Sequence, residues 1–128
     1  MTALFIDDDK DTNFLIDLLI RDLPYIQEYH IMDKAKEALH FLKSYDKPLS
    51  CILVDIKMPE MDGFEFVEQY EKDFHTKYPN TPVYFLTSSI RETDRSRAME
   101  FEVVQGVIIK PLTRSILTEI NEKLKSGA

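Results

Sequence analysis

The segment Cys51-Ile52-Leu53-Val54 does most to limit the fold of this chain, because it runs without a polar break and stops at Asp55. A strand with one wet face alternates apolar and polar side chains, whereas an unbroken apolar strand has to be covered on both faces. That is the situation of a parallel sheet between two layers of helices. Other segments repeat the theme. Leu4-Phe5-Ile6 is stopped by Asp7-Asp8-Asp9, Val83-Tyr84-Phe85-Leu86 runs into Thr87-Ser88, and Val107-Ile108-Ile109 ends at Lys110. Residues 29–32 supply a further short strand.

Between these strands the apolar residues fall at helical spacing. Phe14, Leu15, Leu18 and Leu19 follow the capping candidates Asp11 and Thr12, and Ala35, Ala38, Leu39 and Leu42 follow Asp33 as a cap. Phe64, Val67 and Phe74 line a third helix, residues 90–101 a weaker fourth, and Ile116, Leu117, Ile120 and Leu124 the inward side of a fifth. Alternating strands and helices with right-handed crossovers make a doubly wound α/β fold with a five-stranded parallel sheet and five helices. Such sheets carry their sites beyond the carboxyl ends of the strands. The residues there are Asp7-Asp8, Asp55, Thr87-Ser88 and Lys110, which the topology gathers on one rim.

At 128 residues the chain has the length of one domain, so 1–128 is expected to be a single unit. With three glycines and no low-complexity stretch it is expected to be a folded globule. Its longest apolar runs, such as 82–86 and 106–109, are strand-sized, far short of the roughly 20 residues of a membrane span. No basic segment precedes an apolar one at Met1-Thr2-Ala3-Leu4, so a secretory signal is not expected and the cytoplasm is the expected location. The lone Cys51 sits in an apolar run and is assigned no chemistry. A formal charge of −7 without a basic cluster argues against direct nucleic-acid binding. His30, His40 and His75 are too scattered for a zinc site.

An aspartate at a strand end is commonly a helix cap or a solvated loop acid, but three on one rim change its meaning. If Asp7, Asp8 and Asp55 face one another, they need a compensating cation to stay ionised. Oxygen ligands in an open pocket suit Mg²⁺, with Asp8 and Asp55 as direct ligands and Asp7 acting through water. In Asp55-Ile56-Lys57-Met58-Pro59-Glu60-Met61-Asp62-Gly63, Pro59 fixes one torsion and Gly63 permits a left-handed one. A loop stiffened in this way can aim the backbone carbonyl of Lys57 at the metal; the plainer alternative is a strand-to-helix turn with Asp62 as N-cap. Lys110 is either a solvated lysine before a helix or a point charge that neutralises an acid and then holds a phosphoryl oxygen. Thr87 and Ser88 are either caps or turn formers, or Thr87 donates its hydroxyl to the same phosphoryl group.

These residues resemble the receiver domains of two-component signalling. The resemblance runs from about Ala3 to Leu124 and rests on Ile6-Asp7-Asp8-Asp9, the segment from Val54 to Gly63, Leu86-Thr87-Ser88-Ser89 and Ile109-Lys110-Pro111. It implies a flavodoxin-like sheet of order 2-1-3-4-5. It also implies Asp55 as phospho-acceptor, Asp7 and Asp8 as the acidic pair, Thr87 as switch hydroxyl, Lys110 as the phosphoryl-binding lysine and a cis bond between Lys110 and Pro111. Two positions depart from the common pattern. Val107 stands where the family often has an aromatic switch residue, which removes the usual rotamer mechanism and leaves the Thr87-Ser88-Ser89 loop to carry the signal. Lys57, two residues after Asp55, places a cation over the site, where it is expected to alter the hydrolysis of the acyl phosphate.

The implied reaction is phosphoryl transfer to Asp55 from a phosphohistidine on a sensor histidine kinase or phosphotransfer protein. A downstream protein then reads the altered surface, and a homodimer through the last helices is also compatible with the family. On this reading the chain is not an enzyme beyond its own phosphorylation and dephosphorylation. Two other readings compete with it. An aspartyl-phosphate hydrolase needs a second acid where Lys57 stands, and a receiver-like module that binds partners without phosphorylation has no use for the five matching site residues. With no effector domain after Leu124, the chain is expected to be a stand-alone receiver or a part of a longer protein.

Overall fold

A computed structural model describes residues 1–126. In chain order the elements are β1 (Thr2–Ile6), α1 (Lys10–Ile20), β2 (Glu28–Met32), α2 (Ala35–Ser44), β3 (Cys51–Val54), α3 (Gly63–Phe74), β4 (Val83–Thr87), α4 (Glu92–Ala98), β5 (Val104–Ile109) and α5 (Arg114–Lys125). The five strands are all parallel in the order β2-β1-β3-β4-β5. Both the expected class and the expected strand order are present.

Strand geometry divides the core in two, since successive side chains point to opposite faces. Leu4, Ile6, Ile52, Val54, Val83 and Phe85 face α2, α3 and α4, where Ala38, Leu42, Phe66, Val67, Tyr70 and Ala98 close over them. Ala3, Phe5, Cys51, Leu53 and Leu86 face α1 and α5, meeting Ile16, Ile20, Leu117 and Ile120. The unbroken apolar β3 is thus buried on both sides, as its sequence requires. Burial pushes the Cys51 thiol up to about 12, which keeps it protonated and inert.

Several local expectations are corrected. On α1 the buried residues are Ile16 and Ile20, whereas Phe14, Leu15 and Leu18 are exposed. The N-cap of α1 is Asp9, which accepts from the Asp11 amide and the Thr12 hydroxyl; neither Asp11 nor Thr12 is itself the cap. The residue in the capping position of α2 is Lys34, with no side-chain cap bond, so Asp33 does not serve there. The fourth helix is shorter than the 90–101 pattern because Arg91 is extended at its start and Ile90 is left in the open without a packing partner. Asp62 does cap α3, in a reciprocal box with Glu65.

Among the described residues no helix is long and apolar enough to cross a membrane.

Candidate functional site

Because the strands are parallel and in register, the residues that follow β1, β3, β4 and β5 meet at one edge. Ile6 pairs with Val54 and Thr87 with Ile109, so Asp7 and Asp55 leave the sheet side by side, with Lys110 just past Thr87. Backbone hydrogen bonds extend this order beyond the strands: the Asp55 amide donates to Ile6 O at 2.9 Å and the Lys110 amide to Thr87 O at 2.9 Å.

Carboxylate oxygens of Asp7, Asp8 and Asp55 all lie within 4.8 Å of one another. Asp7 and Asp55 are buried, at 2 % and 7 % exposure, and Asp8 opens to solvent. Lys110 Nζ reaches into this cluster, 2.8 Å from Asp7 Oδ2 and 3.0 Å from Asp55 Oδ2. The other Asp55 oxygen accepts from the Ile56 amide at 2.7 Å, and Asp7 Oδ1 accepts from the Asp9 amide at 2.9 Å. Asn13, which sequence reasoning passed over, donates its amide to Asp7 O at 2.7 Å and holds the acidic loop from α1. Its one signal in the sequence is a polar residue opening an apolar helical stretch.

The electrostatics follow from burial. Desolvation pushes the Asp7 carboxyl above its ordinary value, against the pull of Lys110 and of the Asp9 amide. Burial works to lower the Lys110 ammonium, but the carboxylates of Asp7 and Asp55 outweigh it and its pKa ends above the ordinary one. Among the described residues, Lys110 is the one ammonium paired with this cluster, through Asp7 and Asp55. The ammonium of Lys110, 2.8 Å from Asp7 Oδ2, is the one partner of that buried oxygen among the described residues. Three carboxylates with one ammonium between them retain net negative charge, and this all-oxygen donor set fits a hard divalent cation.

Thr87, 2 % exposed, sits at the end of β4, and its Oγ1 accepts from the Ser89 amide at 3.1 Å. Ser88 is exposed. Val107 is half-buried opposite Phe85 and packs against the core, a strand residue with no large side chain to move. Lys57 is exposed in the loop after Asp55. In that loop Gly63 does not take the left-handed conformation expected of it; Glu60 does, with φ 68°. Gly63 is required for closeness instead, since its amide donates to Ile56 O at 2.7 Å. The Lys110–Pro111 bond is cis, as the resemblance implied.

Comparison with known proteins agrees with this geometry. The family model for the response regulator receiver domain matches residues 3–122. The chain is 39 % identical over 84 residues to the sensor histidine kinase CheAY of Helicobacter pylori, covering 66 % of this chain and 10 % of that protein. It is 30 % identical over 121 residues to the response regulator protein VraR of Staphylococcus saprophyticus, covering 94 % of this chain and 54 % of the relative. The chain therefore spans about a tenth and about half of the lengths of these two relatives. A two component response regulator from Cytophaga hutchinsonii has a crystal structure that superimposes with a TM-score of 0.89 at 27 % identity, covering 98 % of this chain and 96 % of that one. With its sheet order, its rim of acids and a family match over nearly its whole length, this chain belongs to the response regulator receiver domains of two-component phosphorelay signalling.

Proposed function

We propose that Asp55 is the phospho-acceptor and that its phosphorylation changes a protein-binding surface. The observation that carries this is Lys110 Nζ bridging Asp7 and Asp55 at 2.8 and 3.0 Å inside a cluster of three carboxylates. An oxygen of Asp55 attacks the phosphorus of a phosphohistidine on a histidine kinase or phosphotransfer protein. The P–N bond breaks with its electron pair going to the imidazole. Lys110 holds a phosphoryl oxygen as charge develops, and the Ile56 amide fixes the acceptor carboxylate. Asp8, Asp55 and the backbone carbonyl of Lys57, with Asp7 assisting, would hold Mg²⁺, which when bound would supply positive charge to the same oxygens. Thr87 then donates its hydroxyl to the phosphoryl group, and with Val107 in place of a swinging aromatic the response passes through the Thr87-Ser88-Ser89 loop.

The donor must reach this rim, and α1 beside it offers a surface for one. Phe14 and Leu15 are 60 % and 58 % exposed, Leu18 lies on the same face, and an apolar groove of about 390 Å³ runs from Leu15 and Leu19 to Lys110 and Leu112. The chain acts on itself and has no substrate to turn over. It works in the cytoplasm, bound to a phosphodonor and then to a downstream protein, without direct contact with nucleic acid. Incubation with phosphoramidate and Mg²⁺ followed by intact mass tests the assignment. The expected result is a gain of one phosphate that Asp55→Asn abolishes; a gain that survives the substitution overturns it.

A further inference from the structure

The loop between β4 and α4 is joined to the helix by side-chain links that converge on Asp94. Ser89 Oγ donates to Asp94 Oδ2 at 2.5 Å, and the Arg91 amide donates to the same serine oxygen at 3.4 Å. The Arg91 side chain approaches Asp94 Oδ2 at 3.5 Å, with the Asp94 side chain only 16 % exposed. At its other end Ser89 donates its amide to Thr87 Oγ1 at 3.1 Å. A continuous path of hydrogen bonds therefore runs from the Thr87 hydroxyl through Ser89 to the first turn of α4.

Two further features make this path consequential. The helix is lightly held: of its seven residues Ala98 alone is buried, and Arg97 lies over the Phe64 ring at 4.2 Å. Between Thr87 and the helix the loop is lightly held: Ser88 and Ile90 are exposed, Arg91 makes no side-chain cap bond, and the side-chain links from Ser89 and Arg91 both end on Asp94. A helix with little buried area moves at small cost, and it follows whatever its first turn is attached to.

We propose that Asp94 is a positioning residue that makes the Thr87 loop and α4 one moving body, so that a displacement of Thr87 is delivered to the helix. The proposal rests on Thr87 answering a group bound at Asp55. Among the described residues Asp94 pairs with Ser89 and Arg91 and makes no hydrogen bond or ion pair with Asp7, Asp55 or Lys110, so the chemistry at Asp55 is expected to proceed without it.

The test uses the full chain with Mg²⁺ and beryllofluoride as phosphoryl mimic, reading backbone amide shifts over residues 85–101. In the unsubstituted protein the mimic is expected to shift residues 87–89 and 92–98 together. In Asp94→Ala the changes at 87 and 88 persist while those at 92–98 fall to the level of residues far from the site. Ser89→Ala behaves the same way, and Ser89→Thr and Asp94→Asn, which keep a hydroxyl donor and an oxygen acceptor, restore the helix response. Shift changes across 92–98 as large in Asp94→Ala and Ser89→Ala as in the unsubstituted protein overturn the proposal. Should Asp94→Ala lose helical Cα shifts in α4, Ser89→Ala decides alone, because it leaves the Asp94–Arg91 pair in place. Absence of any response at Thr87, together with no mass gain from phosphoramidate, instead marks failure of the phospho-acceptor reading.

Discussion

A Cβ placed on Gly63 would fall 2.1 Å from the backbone oxygen of Asp55, so the first residue of α3 leans directly on the residue at the centre of the rim. No side-chain rotation relieves such a clash, because the opposing atom is main chain. Gly63→Ala is expected to push α3 away from β3 and to cost about 3 kcal/mol, the upper end of overpacking penalties. Urea unfolding measures the loss. The same variant should accept phosphate from phosphoramidate more slowly, because the Asp55 backbone is displaced.

Mg²⁺ should raise the stability of the unsubstituted protein by drawing together three carboxylates that have a single ammonium among them. At a concentration one hundred times the dissociation constant the gain is about 2.7 kcal/mol, read as a rise in Tm. Asp8→Ala removes an exposed member of the cluster and should abolish that rise while leaving the metal-free Tm nearly unchanged. An equal rise in both proteins would place the ion elsewhere.

Far from the rim, Glu28 is held at about 2 by hydrogen bonds from Tyr45, His30 and Lys47. A carboxylate whose pKa is depressed by folding contributes stability that is fully present above its unfolded value of 4.5 and is lost as pH falls toward 2. Glu28→Gln should therefore be less stable than the unsubstituted chain at neutral pH, and the gap should close between pH 4.5 and 2. A gap that stays constant through this window would show that Glu28 contributes by packing and not by charge.

Because Phe14 and Leu18 are exposed, replacing both with serine should change stability by no more than about 0.5 kcal/mol. Phosphorylation by phosphoramidate should be unaffected. Transfer from a cognate phosphohistidine protein should fall about tenfold or more, the loss expected when apolar anchors leave an interface. Equal transfer rates would show that the donor docks elsewhere.

Glu60 holds φ at 68°, a conformation that costs a residue with a Cβ about 1–2 kcal/mol, and its ion pair with Lys36 is a long 3.9 Å contact between exposed groups. Glu60→Gly should thus be stabilising by about 0.5–1 kcal/mol, with a higher urea midpoint at unchanged slope. A lower midpoint would mean that the Lys36 contact outweighs the strain.

The sequence by itself determined the class, the strand order expected of a receiver and the rim on which Asp7, Asp8, Asp55, Thr87 and Lys110 meet. The class and the rim follow from periodicity and element order, since an unbroken apolar strand demands two covering layers and parallel strands must end at the same edge, whereas the strand order came from the resemblance to receivers. Asp62 as a cap was legible for a similar reason, since a capping box lies within four consecutive residues. What only the tertiary structure decided depends on approach between distant segments or on competition between near-equal local choices. Helical spacing marks Phe14, Leu15, Ile16, Leu18, Leu19 and Ile20 alike as apolar, and the angle at which α1 meets the sheet chose Ile16 and Ile20 for burial. Loop composition suggested the left-handed torsion at Gly63, yet it fell on Glu60, and what requires a glycine at 63 is that α3 comes too close to Asp55 for any Cβ there. The link from Ser89 to Asp94 joins a loop residue to a helix whose start was misplaced in the sequence pattern. With Arg91 extended the helix begins at Glu92, which puts Asp94 in its first turn within reach of Ser89, and that starting point is a matter of backbone geometry that the apolar pattern does not carry.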